Sequence, residues 1–255
     1  MNRLKFFLLG LALLAASTWP SNAASSEADF ALHAEKAFQA ARHAFQTRSN
    51  DLETAWKFGQ AAFDRAEFSQ NDRQREDLAV QGIAACRAAL ERDRRSAAAH
   101  YYLAMNLGQL ARTKSLGALR LVGEMEREFS AALQLDEKFD YAGPDRNLGQ
   151  LYRDAPGWPT SIGNRGKARQ HTLRAVEVAP QFPENHLNLI ESLLKWGDKP
   201  GALRALHALD ELWPKALVEF KGEAWESSWL DWQDRLNKVK ARLNEPTATA
   251  PHNRK

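Results

Sequence analysis

The chain has 255 residues, of which 44% are hydrophobic and 26% charged, and its formal net charge is +3 at pH 7. This is the composition of a globular protein with enough apolar surface for a sizeable core, so a largely disordered chain is excluded. The glycine and proline counts, 14 and 10, are modest, which argues against a turn-rich all-β fold and against a collagen-like one. We therefore expect a globular, mainly helical protein.

The first 23 residues have the three parts of a secretory signal peptide. Arg3 and Lys5 form a short basic region, residues 6–16 are apolar, and residues 21–23 offer a small-residue cleavage site. The apolar run is about half of the ~20 residues that a spanning helix needs, so a permanent anchor is the weaker alternative. No cysteine lies near the cleavage point, so the lipobox of a lipoprotein is missing. The sequence predicts an exported protein.

Charge and cysteine content exclude two further classes. Removing residues 1–23 lowers the net charge from +3 to +1, and the remaining basic residues alternate with acids, as in 91–95 and 124–128. Such runs are typical of solvated helix faces, and they argue against a nucleic-acid partner. The single cysteine, Cys86, cannot form an internal disulfide. Its Ala-rich helical surroundings predict a buried apolar side chain, with a reactive thiol as the weaker alternative.

Residues 24–50 are predicted to form an N-terminal capping helix. Apolar side chains recur there at helical spacing, at Phe30, Ala34, Ala37, Phe38, Ala41 and Phe45.

Residues 51–210 contain an internal repeat. His100, Leu103 and Ala104 follow Ala89 and Leu90 at the same offsets at which His186, Leu189 and Ile190 follow Ala175 and Val176. Residues 148–152, Leu-Gly-Gln-Leu-Tyr, add a Leu-Gly-x-x-Tyr motif, and Gly197 suits a tight turn between paired helices. These patterns resemble tetratricopeptide repeats. The resemblance implies an all-α fold, a right-handed solenoid of about four degenerate helical hairpins.

The third hairpin carries an unusual insertion. Residues 153–166 contain two prolines and three glycines, which disfavour helix. The same segment holds Trp158 and Ile162, large apolar side chains that need something to pack on. In solenoids such insertions emerge on one face and often build the binding site.

The C-terminal part is rich in tryptophan. Trp225, Trp229 and Trp232 are spaced four and three residues apart, which places them on one helix face. We predict capping helices over 211–244 that bury this stripe; an exposed oligomer interface or a membrane-interface belt is the alternative. Residues 245–255 lack apolar periodicity, which predicts a disordered tail.

Signals of catalysis are absent from the sequence. None of the seven histidines falls in a metal-binding spacing, and no nucleophile elbow or phosphate-binding glycine loop is present. His100 and His186 are expected to pack within the repeats. Glu184 and Glu191 share a helix face, but paired acids on an exposed helix carry little weight. The prediction is a protein that is not an enzyme and has no cofactor and no metal site.

Three segments resemble a narrower family. Residues 143–149, the loop 155–164 and the helix 168–180 are similar to the T-component of tripartite ATP-independent periplasmic (TRAP) transporters, over roughly residues 75–210. The resemblance implies a periplasmic location, association with a solute-binding subunit, a ring-like homotrimer and a channel for an apolar small molecule. This chain lacks the family's lipobox cysteine, which argues against outer-membrane tethering.

Two functions remain open, both without catalysis. One is an accessory or ligand-handling subunit of a solute uptake system, and the other is a general cell-envelope scaffold that binds peptide segments of other proteins. In either case the first helices of the hairpins would line a groove, with the third-hairpin loop beside it. The predicted binding residues are Arg146, Arg153, Trp158, Asn164, Tyr101, Met105, Asn188 and Glu191. The alternative is that each is an ordinary surface group and that Trp158 only seals the end of the groove.

Overall fold

The computed structural model describes residues 21–114 and 117–245, and this part of the chain is helical with no β-strand. The helices are α1 (Ser21–Thr47), α2 (Leu52–Glu67), α3 (Asp72–Arg92), α4 (Ala97–Arg112), α5 (Ala118–Leu135), α6 (Phe139–Asp154), α7 (Arg165–Val178), α8 (Pro183–Lys195), α9 (Lys199–Glu219) and α10 (Glu223–Asn244). Nearly all of the predicted signal peptide and of the predicted disordered tail lie outside the described residues. In the described ranges no helix combines the length and apolarity of a membrane span.

The chain divides into two compact units, with the boundary between Ala179 and Pro180. The first contains α1 and the hairpins α2/α3, α4/α5 and α6/α7; the second contains the hairpin α8/α9 and α10. The prediction of an all-α protein built from about four helical hairpins is therefore confirmed. The predicted limit at residue 210 falls inside α9, which runs on to Glu219.

Short polar side chains start most of the hairpin helices. Each cap side chain accepts a hydrogen bond from a backbone N–H of the first turn, which would otherwise lack a partner. These caps are Asp51, Asn71, Ser96, Asn164 and Asp198. The caps fix where each helix begins and so set the lengths of the connecting turns. At the tight turn between α8 and α9, Gly197 has φ +74°, as the sequence predicted.

Helix α1 caps the first unit with its apolar stripe. Phe38 is buried, and Phe38 and Phe45 both pack on Phe58 of α2, with ring centroids 5.5 and 5.6 Å apart. The predicted N-terminal capping helix is confirmed.

Helices α2 and α3 approach closely because their contact surface is made of small residues. A Cβ atom added to Gly59 would collide with the Sγ atom of Cys86, and one added to Gly82 would collide with Asn106 of α4. Cys86 is fully buried, as predicted, and burial raises the pKa of its thiol, so the thiolate is disfavoured. Cys86 therefore works as a small core side chain.

Buried asparagines link the first helices of successive hairpins in the first unit. The Nδ2 atom of Asn106 in α4 donates to the carbonyl of Gly59 in α2 over 2.8 Å. That of Asn147 in α6 donates to the hydroxyl of Tyr101 in α4 over 2.9 Å. Helices α2, α4 and α6 therefore lie side by side, which is the arrangement that lines one face of a hairpin array.

The second unit has an aromatic core. Trp232 of α10 packs edge-to-face on Phe182 and Phe220, with ring centroids 5.3 and 6.1 Å apart, and is 1% exposed. Trp229 donates its indole N–H to the carbonyl of Phe220 over 2.5 Å, so its polar edge is satisfied as well. The tryptophan stripe packs within this unit, with Trp232 buried and Trp225 and Trp229 half-buried, which confirms the predicted C-terminal cap.

Candidate partner-binding site

The loop between α6 and α7, residues 155–164, is held by its own backbone. Gly163 donates to the carbonyl of Pro156 over 2.8 Å, and Asn164 donates to the carbonyl of Tyr152 over 2.9 Å. Thr160 closes a turn onto Gly157 over 3.1 Å. A Cβ atom on Gly163 would lie 2.7 Å from the carbonyl oxygen of Pro156, so only glycine fits there. The loop is preorganised before any partner binds.

Trp158 projects from this loop into solvent. It is 89% exposed, more than any other large hydrophobic side chain found exposed in the described residues. Tryptophan is enriched at the centres of protein interfaces because it buries a large area with few rotatable bonds. Trp158 seals nothing within the described chain, which removes the alternative that it closes the end of a groove by packing. Its role in binding stays a prediction.

Arg146, also a predicted binding residue, lies in a different environment from Trp158. It is 1% exposed, and its guanidinium donates to the carbonyls of Asp140 and Tyr141 over 3.0 and 3.1 Å and pairs with the carboxylate of Asp140. Residues 140, 141 and 142 have φ angles of 51°, 54° and 61°, in the left-handed region that non-glycine residues avoid. Arg146 therefore stabilises a strained turn at the start of α6.

Tyr101 and Met105, predicted as binding residues that line the groove, are instead fully buried at 0% exposure. Tyr101 donates its hydroxyl to Asp140 over 2.7 Å and so joins the network around Arg146. The sequence register placed both in α4 correctly, but periodicity alone does not report whether neighbouring side chains enclose a position.

Arg153 and Asn164 flank the loop at its two ends. Arg153 makes a bidentate contact with Asp154, over 3.0 and 2.7 Å, at the last turn of α6. The side chain of Asn164 accepts from the N–H of Lys167 over 3.0 Å and caps α7. Both residues have a structural contact that fixes the loop ends, and any contact with a partner remains a prediction.

A polar cluster that sequence reasoning missed joins α6 to α7 beneath the loop. Asp145 is fully buried, and its carboxylate contacts Nδ1 of His171 over 2.7 Å and Nε of Arg174 over 2.9 Å. The ring of Tyr152 stacks on His171 at 5.5 Å, and its hydroxyl donates to Glu126 of α5. Only an acid 26 residues before a histidine signals this pairing in the sequence, and such a spacing has no predictive value alone.

In the second unit, Asn188 and Glu191 belong to an ion cluster around Arg235. Arg235 of α10 donates to both carboxylate oxygens of Glu191, over 2.7 and 2.9 Å, and to the side-chain oxygen of Asn188. Its guanidinium also lies 3.7 Å from Glu184 and 3.6 Å from Asp231. Burial lowers the pKa of Arg235, but the neighbouring carboxylates raise it by more. The pKa is therefore above its ordinary value, and the guanidinium stays charged.

This cluster corrects one sequence expectation. Glu184 and Glu191 do share a face of α8, but that face is not the exposed one, since their side chains are 7% and 28% exposed. Acids seven residues apart on a helix, followed by an Asp-x-x-x-Arg pair on the cap, are the signal that sequence reasoning left unused.

Asp64 of α2 is an acid held in an unfavourable setting. It is partly buried, and burial raises the pKa of its carboxyl to about 7, with Glu67 and Asp140 adding repulsion.

The two repeat histidines pack as predicted. His100 of α4 contacts Glu128 of α5 through Nδ1 over 2.6 Å and the carbonyl of Arg94 through Nε2 over 3.0 Å, and the hydrogen bond to Glu128 raises its pKa. His186 contacts the carbonyl of Pro180 over 2.7 Å, and burial lowers its pKa. Across residues 21–114 and 117–245 no cluster of three or more potential ligands could hold a metal ion.

The hairpin arrangement has counterparts among solved structures. The crystal structure of a thermophilic TPR protein from Thermus thermophilus superposes with a TM-score of 0.59 at 16% identity, covering 86% of this chain and 98% of that one. The chain has a tetratricopeptide-like fold. The crystal structure of MamA is also similar, with a TM-score of 0.51 at 16% identity over 78% of this chain and 98% of that chain.

Sequence comparisons add one partial match to this tetratricopeptide-like protein. Residues 23–141 match the family model for regulator of microtubule dynamics protein 1-3. No curated protein matched the chain. At 16% identity the solved structures establish the fold alone.

Proposed function

We propose that this tetratricopeptide-like protein is a scaffold that binds a segment of another protein, with the loop 155–164 as its anchor. The observation that carries the proposal is Trp158, which is 89% exposed on a loop fixed by backbone hydrogen bonds. Hydration of such an exposed apolar side chain is unfavourable, and its burial against a partner would contribute up to about 3 kcal/mol to the free energy of binding.

Two further features support binding rather than chemistry. Helices α2, α4 and α6 lie side by side, joined by buried asparagine side chains, and so form one face of the hairpin array. Hydrogen-bonding and ionic groups around the loop, such as Asp145 with His171, are used to join helices. Neither feature forms a deep pocket with convergent titratable groups, which catalysis would need.

Site-specific photo-crosslinking tests the scaffold proposal. A photoreactive residue at position 158 should give a discrete protein adduct in the host cell. The matched control is position 119, because Leu119 is an exposed apolar residue of the same unit, on α5, at 44% exposure. Adducts of equal yield from both positions, or from neither, would contradict the proposal.

The narrower form of the proposal makes the partner a periplasmic solute-binding subunit of a TRAP-type uptake system. It is supported by residues 143–149 and 155–164 and by the signal-like N-terminus; the matched family and solved structures are other proteins. Binding of the purified full chain to a solute-binding subunit encoded beside it would support this form. The scaffold proposal survives if that subunit does not bind and another protein does.

A second candidate function follows from the match of residues 23–141 to regulator of microtubule dynamics proteins. It would make the partner a cytoskeletal polymer. Saturable co-sedimentation of the full chain with polymerised tubulin would support it, and the absence of the chain from the pellet at micromolar polymer would remove it.

A further inference from the structure

Helix α9 presents a long exposed face on the second unit. Its buried positions, Gly201, Ala202, Leu209 and Ala216, all lie on one side of the helix. The opposite side carries a row of exposed residues spaced three or four apart, which places them on one stripe. The row consists of Pro200, Leu203, His207, Glu211, Pro214 and Val218.

The row is apolar at its two ends and polar at its middle. Leu203 is 49% exposed and Val218 is 70% exposed. Between them, Nδ1 of His207 lies 3.4 Å from the carboxylate of Glu211, and these side chains are 76% and 71% exposed. Exposed apolar side chains in line with a polar pair are typical of a helix that packs on another helix.

A shallow cavity lies over the same stretch. It has a volume of about 410 Å³ and is lined by Leu203, Arg204, His207, Ala208 and Glu211. Ala208 has the smallest side chain of the five, so a side chain from a facing helix would fit over it.

The order of these residues is self-complementary under a two-fold axis. When two copies of one helix pack antiparallel, positions whose numbers have the same sum face each other. A two-fold axis on the exposed side of α9, at the height of residue 209, sets His207 of one copy opposite Glu211 of the other, and this contact occurs twice. The same axis sets Pro200 opposite Val218, so the apolar ends also meet. Contacts that repeat in this way define an isologous dimer interface.

We propose that the exposed face of α9 packs antiparallel against α9 of a second copy of this chain. The contact is closed by symmetry at two copies, so it differs from the trimer that the transporter resemblance implies. It uses no residue of the loop 155–164 and is independent of the scaffold proposal.

The expected association is weak. Helix α9 has 21 residues and is therefore about 30 Å long, and a contact about 10 Å wide along it falls in the size class of weak interfaces, below about 1,200 Å² in total. We expect a dissociation constant of about 10–100 µM.

Sedimentation equilibrium of the full chain over about 1–300 µM tests the dimer with a charge-swap series. His207→Glu sets Glu opposite Glu twice and should weaken the dimer at least about tenfold. Glu211→His removes the acid and should weaken it about threefold or more. The double swap His207→Glu with Glu211→His restores the facing pairs and should bring the dissociation constant back to within about threefold of the original value.

A matched control uses another exposed pair four residues apart, Asp234 and Lys238 on α10. Exchanging those two residues should leave the dissociation constant unchanged. A monomer at every concentration, a trimer, or single variants that behave like the original chain would overturn the proposal.

Disulfide trapping tests the antiparallel register. The described residues contain one cysteine, Cys86, which is buried. A mixture of Pro200→Cys and Val218→Cys chains should therefore form a crosslinked dimer between unlike copies, while each variant alone stays uncrosslinked. Equal crosslinking within each variant would mean a parallel pairing and would contradict the register.

Discussion

Each unit of the molecule contains an arginine that is largely enclosed by its neighbours, Arg146 at 1% exposure and Arg235 with its side chain 17% exposed, and the two have different roles. Arg146 in the first unit contacts the carbonyls of Asp140 and Tyr141, six and five residues earlier in the chain. Arg235 in the second unit contacts Glu191 and Asn188, 44 and 47 residues earlier. The first arginine fixes a local turn, and the second joins α10 to α8.

The two arginines differ in the groups to which they donate hydrogen bonds. At the turn of residues 140–142, which has left-handed φ angles, the backbone carbonyls of Asp140 and Tyr141 face the guanidinium of Arg146. Arg146 donates a hydrogen bond to each of them. In the cluster between α8 and α10, Arg235 donates to side-chain oxygens of Glu191 and Asn188, so it joins two helices that are distant in the sequence. Arginine thus stabilises a local turn in one unit and joins two distant helices in the other. Sequence alone does not show which of these two roles a given arginine has.

Arg235→Met is expected to have the largest effect. It removes the guanidinium that Glu184, Glu191 and Asp231 share, and breaking such a cluster costs about 3–5 kcal/mol. Chemical denaturation measures the loss. Lys238→Met, on the same helix but at an exposed ion pair, should change the free energy of unfolding by less than about 0.5 kcal/mol.

Hydrogen exchange sharpens this first test. If Arg235 attaches α10, amides of α10 should lose protection in Arg235→Met while those of α4 keep theirs. Uniform loss of protection across both units would mean that the cluster does not act as a local attachment.

Arg146→Met should have a smaller effect, about 2–3 kcal/mol. Two backbone carbonyls lose their donors, but Asp140 keeps the hydrogen bond from Tyr101 at 2.7 Å. Denaturation again gives the value, and Arg127→Met on the exposed face of α5 is the control. A loss equal to that of the control would show that the turn does not depend on Arg146.

Asp64→Asn should change the pH dependence of stability by roughly 1–2 kcal/mol, allowing for the partial exposure of the side chain. Because the carboxyl pKa is raised from 3.8 to about 7 in the folded chain, its protonated form contributes stability that is present below about pH 4. That contribution is lost as the pH rises through 7. The Tm should therefore fall less steeply between pH 4 and 8 for Asp64→Asn than for the wild-type chain. Parallel curves of Tm against pH would contradict the raised pKa of Asp64.

The fold was predictable because it depends on patterns that a single sequence contains. The repeat offsets at His100 and His186 and the tryptophan stripe through Trp232 follow from the regular spacing of residues in helices. The turn at Gly197 follows from the backbone freedom of glycine. Small residues in these patterns also allow close packing, since Gly59, which has no side chain, lets Cys86 of the neighbouring helix approach its backbone.

The candidate site was less predictable because burial and partners are set by tertiary contacts. Trp158 was found from its place between prolines and glycines, and it is exposed. Arg146 has an equally promising position in the sequence, yet three residues in left-handed conformation turn it into a structural group. No sequence pattern reports that turn, since Tyr141 and Ala142 rarely adopt positive φ and only Asp140 is of a type that does so more often.

Trp158→Ala is expected to change stability least, by less than about 0.5 kcal/mol, because the side chain is 89% exposed. The same substitution gives the most direct test of partner binding by the loop. The affinity for the crosslinked partner and the far-UV circular dichroism should be measured together on wild type and Trp158→Ala. We predict at least about tenfold weaker binding with unchanged helix content; unchanged affinity, or weaker binding that comes with lost helicity, would contradict the account.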